Sequence, residues 1–179
     1  MDTLEAVALI DAAVPHLPGT WADIGAGDGT FTRALAQLLG PDARIYAVDR
    51  DKRAVAALER WTKKERTNVV PVRADFARPF ELPGLADPEL DGILLANSFH
   101  FVPDQDVVLG RLAKWIRPGG RVVLVEYDRR AASRWVPYPI PPARFEALAQ
   151  ATGLATPRIT ATRPSRFGGV LYAAAAVVR

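Results

Sequence analysis

The sequence predicts an α/β protein with a mostly parallel sheet, on three observations. Strand-like apolar runs alternate with amphipathic helical patterns across short connections, which favours parallel pairing through right-handed crossovers. A turn containing Gly25, Gly27 and Gly29 joins an early strand to a helix. Near the carboxyl terminus two strands are separated by a hairpin-length connection, which is typical of an antiparallel pair.

The first half of the chain carries three helical and three strand patterns. Helices are expected over residues 4–14, 31–39 and 51–61, and strands over 21–24, 44–48 and 68–73. Asp51 is the expected N-cap of the third helix because its carboxylate can accept from free backbone N–H groups. Pro71 predicts that the third strand lies at an edge of the sheet, since proline has no N–H for the ladder.

The second half continues the alternation before the antiparallel end. Strands are expected over 90–96, 121–126, 157–162 and 170–178, and helices over 105–116 and 144–152. The strand at 90–96 is almost continuously apolar, as in strands buried on both faces. The sequence Pro118-Gly119-Gly120 is the expected end of the helix before it. Residues 135–142 are rich in proline and aromatic residues and are not expected to be helical.

Composition narrows the kinds of site that the chain can form. It has 179 residues, no Cys and two His. A single domain over 1–179 is expected, disulfides and thiolate chemistry are excluded, and no metal site is expected. Acidic residues near the amino terminus and the lack of a long apolar run argue against a signal peptide and a membrane partner. We therefore expect a cytoplasmic protein.

Charge is unevenly distributed along the chain. The net charge is +3, yet from residue 129 onward eight Arg stand against one Glu. Such an excess is compatible with an anionic substrate, a nucleic acid or an acidic partner. The alternative is a solvated basic face with no ligand.

Polar residues follow the predicted parallel strands, at the sheet edge where open α/β sheets bind ligands. Asp49 follows the second strand, where a carboxylate can accept from both ribose hydroxyls. Asp75 and Phe76 follow the third strand and suit the amino group and the face of adenine. Each acidic residue has an alternative role as a helix cap or turn former, but together they predict a nucleoside ligand.

The glycine turn distinguishes between nucleoside cofactors. A nicotinamide dinucleotide fingerprint, G-x-G-x-x-G, would need glycine at position 30, where this chain has Thr30. Asp23 would repel a pyrophosphate, whereas it suits an ammonium and a sulfonium group. These two residues favour a ligand without a pyrophosphate.

In order along the chain, these segments resemble the class I S-adenosylmethionine-dependent methyltransferases. The resemblance rests on D-I-G-A-G-D-G at 23–29, Asp49, A-D-F at 74–76, A-N-S-F-H-F-V at 96–102 and R-P-G-G-R-V-V-L-V-E at 117–126. It implies a Rossmann-like, three-layer α/β/α fold around a seven-stranded sheet. The implied strand order is 3-2-1-4-5-7-6, with strand 7 antiparallel.

The same resemblance implies which residues contact S-adenosylmethionine. Asp23 and the loop from Gly25 to Gly29 would hold the methionine end, Asp49 the ribose, and Asp75 with Phe76 the adenine. Asn97 and Ser98 would flank the sulfonium and the incoming nucleophile. The full predicted cofactor set is Asp23, Gly25, Ala26, Gly27, Gly29, Asp49, Arg50, Asp75, Phe76, Asn97 and Ser98. The segment N-S-F-H lacks the D/N-P-P-Y/F of amino-methylating DNA enzymes, so base methylation of that type is not expected.

Two residues are candidates for catalysis. His100 is a candidate general base for a hydroxyl or an acidic carbon, with packing as its alternative role. Glu126, at the end of the fifth strand, is the second candidate, and its alternative is to position the acceptor.

Candidate substrate contacts lie around the segment in which this family builds its substrate wall. They are Tyr127, Arg130, Trp135 and Tyr138. The aromatic residues would form one side of an acceptor pocket, and the arginine would receive an anion. The alternative is that the aromatic residues fasten a proline-stiffened loop to the core.

We expect a methyltransferase that acts on a small-molecule acceptor, because few residues lie beyond the implied catalytic core. One alternative is an RNA or protein methyltransferase that uses the basic C-terminal face. Another is a nucleoside-binding module without turnover. The sequence predicts neither the acceptor nor the oligomeric state.

Overall fold

The computed structural model describes residues 1–85, 88–128, 131–165 and 168–179. Within those ranges the strands are β1 (Thr20–Ile24), β2 (Arg44–Asp49), β3 (Val69–Arg73), β4 (Leu90–Ala96), β5 (Ile116–Tyr127), β6 (Arg158–Pro164) and β7 (Val170–Val177). The helices are α1 (Thr3–Ile10), α2 (Thr30–Leu39), α3 (Lys52–Glu65), α4 (Gln105–Ala113) and α5 (Pro142–Ala151), and a 3-10 turn spans Phe99–Phe101.

The described strands form one seven-stranded sheet in the order β3-β2-β1-β4-β5-β7-β6. Strands β1 to β5 pair in parallel, and β7 is antiparallel to both β5 and β6. The predicted strand order and the antiparallel end are therefore confirmed.

Apolar residues of the sheet enter two separate clusters, one on each face. Along β1, Trp21 enters the cluster that includes residues of α1 and α2, whereas Ala22 enters the one that includes α4 and α5. Leu94 and Leu95 of β4 are divided in the same way, because successive strand residues point to opposite faces. Helices thus cover both faces, which confirms the three-layer prediction.

Strand β3 lies at one edge of the sheet, as Pro71 predicted. The N–H of Ala74 donates to the carbonyl of Asp49 at 3.0 Å. Since N–H groups alternate in direction along a strand, the nitrogen of Pro71 faces away from β2, where no ladder bond is lost.

Four helix boundaries differ from the prediction by two residues or more, and one of them is the end of α3, which extends to Glu65 and not to residue 61. Helix α1 ends at Ile10 and not at residue 14, and α5 already begins at Pro142, because proline is well suited to the first helical position. Helix α4 ends at Ala113, and β5 starts at Ile116. Pro118-Gly119-Gly120 therefore lies within β5, where the pairing with β4 shifts between Leu90 and Gly92.

None of the helices in the described ranges has the length and apolar character needed to cross a membrane.

Candidate functional site

A glycine loop connects β1 to α2 at the carboxyl edge of the sheet. The N–H groups of Gly25 and Ala26 donate to the carbonyl of Val48 at 2.8 and 2.9 Å, which ties the loop to the end of β2. Gly25 and Gly27 have φ angles of +81° and +55°, a region that side chains disfavour. A Cβ atom at Gly25 would lie 2.3 Å from Cβ of Ser98, whereas one at Gly27 would meet nothing within 4 Å. The loop is thus packed below Gly25 and open beside Gly27.

Asp49 is held rigidly at the end of β2. Its Oδ2 accepts from the N–H of Gly27 and its Oδ1 from the N–H of Asp51, both at 2.8 Å. A carboxylate has about four acceptor positions, so lone pairs remain on both oxygens. Asp49 can therefore accept two further hydrogen bonds from a ligand.

A cleft of about 280 Å³, here called the Asp49 cleft, opens beside this carboxylate. Its lining residues are Gly25, Asp49, Arg50, Asp75, Phe76, Ala77, Asn97, Ser98, Phe101 and Val102. Oδ1 of Asp75 accepts from the N–H of Ala77 at 3.1 Å, so this residue also forms the predicted type of turn contact. The structure brings the ends of β2, β3 and β4 together around one concave site.

A second cleft, the Asp23 cleft, has a volume of about 270 Å³ and is also lined by residues of the glycine loop. Asp23, Gly25, Ala26, Gly27 and Asn97 are among its lining residues. Asp23 is almost fully buried, and Oγ1 of Thr32 donates to its Oδ2 at 2.6 Å. Burial raises the pKa of Asp23 to about 7, the hydrogen bond opposes that rise, and the charge of Asp49 adds to it.

A third and larger cleft of about 670 Å³ is here called the Trp135 cleft. It is lined by Asn97, His100, Phe101, Tyr127, Trp135, Val136 and Gly168. None of these described lining residues is Asp, Glu, Lys or Arg. The cleft is therefore mainly aromatic and apolar.

Asn97 lies where the three clefts meet, because it lines every one of them. Its backbone has a φ of +52°, and its N–H donates to the carbonyl of Val125 at 2.9 Å. Its side-chain Oδ1 is buried and has no hydrogen-bond partner among the described residues. A buried acceptor without a partner is costly, so Oδ1 is suited to a donor that a ligand would supply.

His100 and Glu126 form a buried pair beside the Trp135 cleft. The backbone N–H of His100 donates to Oε1 of Glu126 at 3.2 Å, and Nδ1 lies 2.7 Å from Oε2. Glu126 is fully buried, and His100 is 3% exposed. His100 lines the cleft, whereas Glu126 is absent from the lining.

The family model described as "Methyltransferase domain" matches residues 22–122. That span holds the glycine loop, Asp49, Asp75, Asn97 and His100. This chain belongs to the class I S-adenosylmethionine-dependent methyltransferases.

Relatives of this methyltransferase were found by sequence and by structure. It is 28% identical to a demethylmenaquinone methyltransferase of Geobacillus sp. (strain WCH70) over 104 residues, which are 58% of this chain and 43% of that protein. A SAM-dependent methyltransferase from Aquifex aeolicus has a TM-score of 0.77 and 17% identity, with 98% of this chain and 90% of that chain covered. A Burkholderia thailandensis 1,6-didemethyltoxoflavin-N1-methyltransferase has a TM-score of 0.77 and 20% identity, with 99% and 78% covered.

The matched part of this methyltransferase spans less than half the length of the curated demethylmenaquinone methyltransferases. The two solved structures share no more than 20% identity with it. The structural similarities establish the fold, and the family model over residues 22–122 establishes the family.

Gly29 is placed differently from the other predicted cofactor residues of the methyltransferase. It lines neither the Asp49 cleft nor the Asp23 cleft. A Cβ atom there would lie 2.4 Å from Cδ2 of Leu58. Gly29 therefore allows the loop to pack against α3, and its cofactor contact stays a prediction.

Two further predicted residues do not line the Trp135 cleft. The sequence placed Glu126 among the catalytic residues, but its side chain is sealed behind His100. Tyr138 is not among the lining residues of the Trp135 cleft. Its backbone instead donates to the carbonyl of His100 at 3.0 Å and accepts from Gln105 at 2.9 Å. Both residues therefore support His100 from outside the cleft.

Of the three remaining substrate candidates, two line the Trp135 cleft and one is not described by the structure. Tyr127 and Trp135 line the Trp135 cleft, whereas Arg130 and its neighbour Arg129 lie outside the described residues. Arg134 is near the site, with its guanidinium carbon 5.5 Å from the centroid of the Trp135 ring.

Two residues that line the site, Phe101 and Val136, were not predicted from the sequence. Phe101 lines both the Asp49 cleft and the Trp135 cleft, and Val136 lines the latter. Phe101 is 53% exposed. Its position in N-S-F-H-F directly after β4 was the available signal, because residues at a strand's carboxyl end face the ligand edge.

Proposed function

We propose that this chain binds S-adenosylmethionine and transfers its methyl group to a small-molecule acceptor. One observation carries the proposal: the Asp23 cleft, the Asp49 cleft and the Trp135 cleft meet at Asn97. The methionine end would occupy the first cleft, the nucleoside the second and the acceptor the third. The group to be transferred would then lie at their junction.

The residues present fit this cofactor. The carboxyl group of Asp23 faces a cleft in which an ammonium group would pair with it, and Asp49 retains lone pairs for two ribose hydroxyls. The open space beside Gly27 lets a ligand approach the main chain. The buried Oδ1 of Asn97 would accept a hydrogen bond from the cofactor's amino group.

Methyl transfer depends mainly on the alignment of the acceptor with the methyl donor. When bound, the cofactor supplies a methyl group on a sulfonium, which leaves by in-line displacement. Such a reaction gains most from holding the acceptor close and correctly oriented. Asn97 sets the boundary between cofactor and acceptor, and the walls of the Trp135 cleft restrict how the acceptor can lie.

Two observations favour a small acceptor over a macromolecule. The volume of the Trp135 cleft is within the range of ordinary small-molecule sites. In the basic C-terminal segment, Arg163 is already paired with Glu5 at 2.7 Å, and Nε of Arg144 donates to Gln105 at 3.2 Å. These two arginines are therefore engaged within the protein.

Calorimetry with S-adenosylmethionine and S-adenosylhomocysteine tests the proposal. Asp49→Asn keeps the shape of the side chain and removes its charge, so it should weaken binding about 10- to 100-fold, given the usual strength of charge-assisted hydrogen bonds. Asp42→Asn, at an exposed residue outside the clefts, is the matched control and should bind normally. Absence of binding by the unmodified protein would overturn the proposal. Tight binding without turnover over a wide acceptor panel would favour a binding module.

A further inference from the structure

We infer that the Trp135 cleft accepts a planar hydroxyaromatic molecule and that Nε2 of His100 removes its hydroxyl proton. The inference rests on the proposed function, which supplies the methyl donor, and it names the acceptor class. Its basis is the pairing of His100 with Glu126 and the aromatic lining of the same cleft.

The hydrogen bonds of Glu126 determine which imidazole nitrogen is available. Both oxygens of Glu126 are used by His100, one by its backbone N–H and the other by Nδ1. If Glu126 accepts as a carboxylate, Nδ1 of the neutral ring is the nitrogen that carries the proton. The lone pair is then on Nε2, which makes no hydrogen bond with any residue in the described ranges.

Among the described residues, the two hydrogen bonds of Glu126 are both with His100. It is fully buried, and the nearby hydroxyl of Tyr172 donates to the carbonyl of Ile140 at 2.6 Å. A positive charge that forms on His100 would be stabilised by this carboxylate at short range. Glu126 is therefore a positioning residue, and His100 is the residue that touches the acceptor.

The aromatic lining of the cleft favours a flat, apolar ligand. Phe101 is 53% exposed and Trp135 is 75% exposed, although both line the same cleft. The His100 ring lies 4.3 Å from that of Phe101 and 6.2 Å from that of Tyr127, between centroids. Aromatic walls stabilise a bound ring by stacking and edge contacts, and stacking would also cover the exposed faces.

The chemistry of the base selects the hydroxyl. Imidazole has an ordinary pKa of about 6.5 and a phenolic hydroxyl one of about 10, whereas the pKa of a hydroxyl as weakly acidic as water is far higher. Proton transfer from a phenol to an imidazole is therefore uphill by about 3 to 4 pH units, and transfer from a water-like hydroxyl is much more unfavourable. An aromatic hydroxyl is the acceptor that this base suits.

The step balances without another reactant. The acceptor O–H bond breaks, its proton forms a new N–H bond at Nε2, and the electron pair stays on the oxygen. That oxygen bonds to the methyl carbon as the carbon–sulfur bond breaks, with the electron pair of the broken bond going to sulfur. Glu126 holds the imidazolium until the proton passes to water.

Ionisation of 4-nitrophenol, whose anion has its own visible absorption, tests the inference without turnover. The probe is titrated in the presence of protein saturated with S-adenosylhomocysteine. We expect bound 4-nitrophenol to ionise at least one pH unit lower than free probe. Glu126→Gln should abolish this shift while the probe still binds. Trp135→Ala should weaken binding of both 4-nitrophenol and the non-ionisable 4-nitroanisole several-fold, and leave the shift in place.

A second measurement uses the native side chains, since a change at buried Glu126 can disturb folding. Nitrogen-15 NMR of the imidazoles, assigned with a His16→Gln variant, should show Nδ1 of His100 protonated and Nε2 unprotonated. The opposite tautomer, a bound probe with unchanged ionisation, or no probe binding would each overturn the inference. If S-adenosylhomocysteine binds in those cases, the proposed function survives; if it does not bind, the proposed function itself fails.

Discussion

Oγ1 of Thr32 lies 2.6 Å from Oδ2 of Asp23 and donates a hydrogen bond to this buried carboxyl group. The bond does not compensate for the lost hydration, and burial raises the pKa of Asp23 from 3.8 to about 7. The folded protein therefore keeps a proton on Asp23 at pH values where the unfolded chain has lost it.

Asp23→Asn should change how stability depends on pH. Because the folded pKa is above the unfolded one, the stabilising contribution of protonated Asp23 is complete below 3.8 and is lost as the pH rises through about 7. The native protein should lose a few kcal/mol relative to Asp23→Asn across this window. Urea unfolding at a series of pH values measures the difference. Two curves that stay parallel from acid to neutral pH would contradict the prediction.

Binding of S-adenosylmethionine should show the opposite pH dependence. The ammonium group of the proposed cofactor pairs with ionised Asp23, so affinity should rise roughly tenfold or more between about pH 5.5 and 7.5. In Asp23→Asn this rise should be absent. Calorimetry at the two pH values checks it, and an equal rise in both proteins would assign the effect to another group.

Gly25→Ala should impair both stability and cofactor binding. Alanine at a φ of +81° costs about 1–2 kcal/mol, and its Cβ would lie 2.3 Å from Cβ of Ser98. Gly153→Ala is the matched control, since Gly153 has a φ of +77° but an added Cβ meets nothing within 4 Å. Both variants should lose stability in thermal unfolding. Only Gly25→Ala should lose cofactor affinity, at least tenfold, and equal affinities would refute the role of the contact.

Gly92→Ala should destabilise the sheet by about 1–3 kcal/mol, as overpacking of a filled core does. An added Cβ would lie 2.5 Å from Cη2 of Trp21, which is fully buried. Trp21→Phe removes those ring atoms, so the double variant should be more stable than the sum of the two single changes predicts. Denaturant unfolding of all four proteins measures the coupling, and strict additivity would show that the ring moves aside.

Tyr172→Phe should loosen the segment that carries Trp135. The hydroxyl of Tyr172 donates to the buried carbonyl of Ile140, and burial raises the pKa of Tyr172, so this donor proton is retained. Its loss should cost about 1–3 kcal/mol and speed hydrogen exchange near Ile140. Tyr46→Phe is the control, because its hydroxyl donates to Pro83 at 2.9 Å. That variant should lose stability without faster exchange near Ile140; the same pattern in both would contradict a local effect.

The strand order and the position of most candidate cofactor residues at one sheet edge followed from sequence because each signal is local. Pro71 indicates an edge strand by itself, and Asp49 and Asn97 follow directly from the ends of apolar runs. In a parallel sheet all such ends lie at one edge. Once the strands were predicted, Asp49 and Asn97 could therefore be expected at the same edge of the sheet.

The missed features depend on contacts between residues distant in the chain. Gly29 faces Leu58 of α3, and Glu126 is sealed by His100. Sequence spacing and residue type do not indicate what the Cα atom of a loop glycine packs against. They also do not indicate whether a carboxylate at a strand end is exposed to solvent. The end of α4 was misplaced for a similar reason, because Ile116 is held by its pairing with Leu90.

The outward-facing nitrogen of Pro71 also bears on association between copies of this protein. Among the five residues of β3, positions 69, 71 and 73 direct their nitrogens away from β2, and the central one of these has no hydrogen to offer. A foreign strand that docked here would leave a carbonyl unpaired in the middle of its ladder. This border of the sheet is thus a poor template for edge-to-edge aggregation.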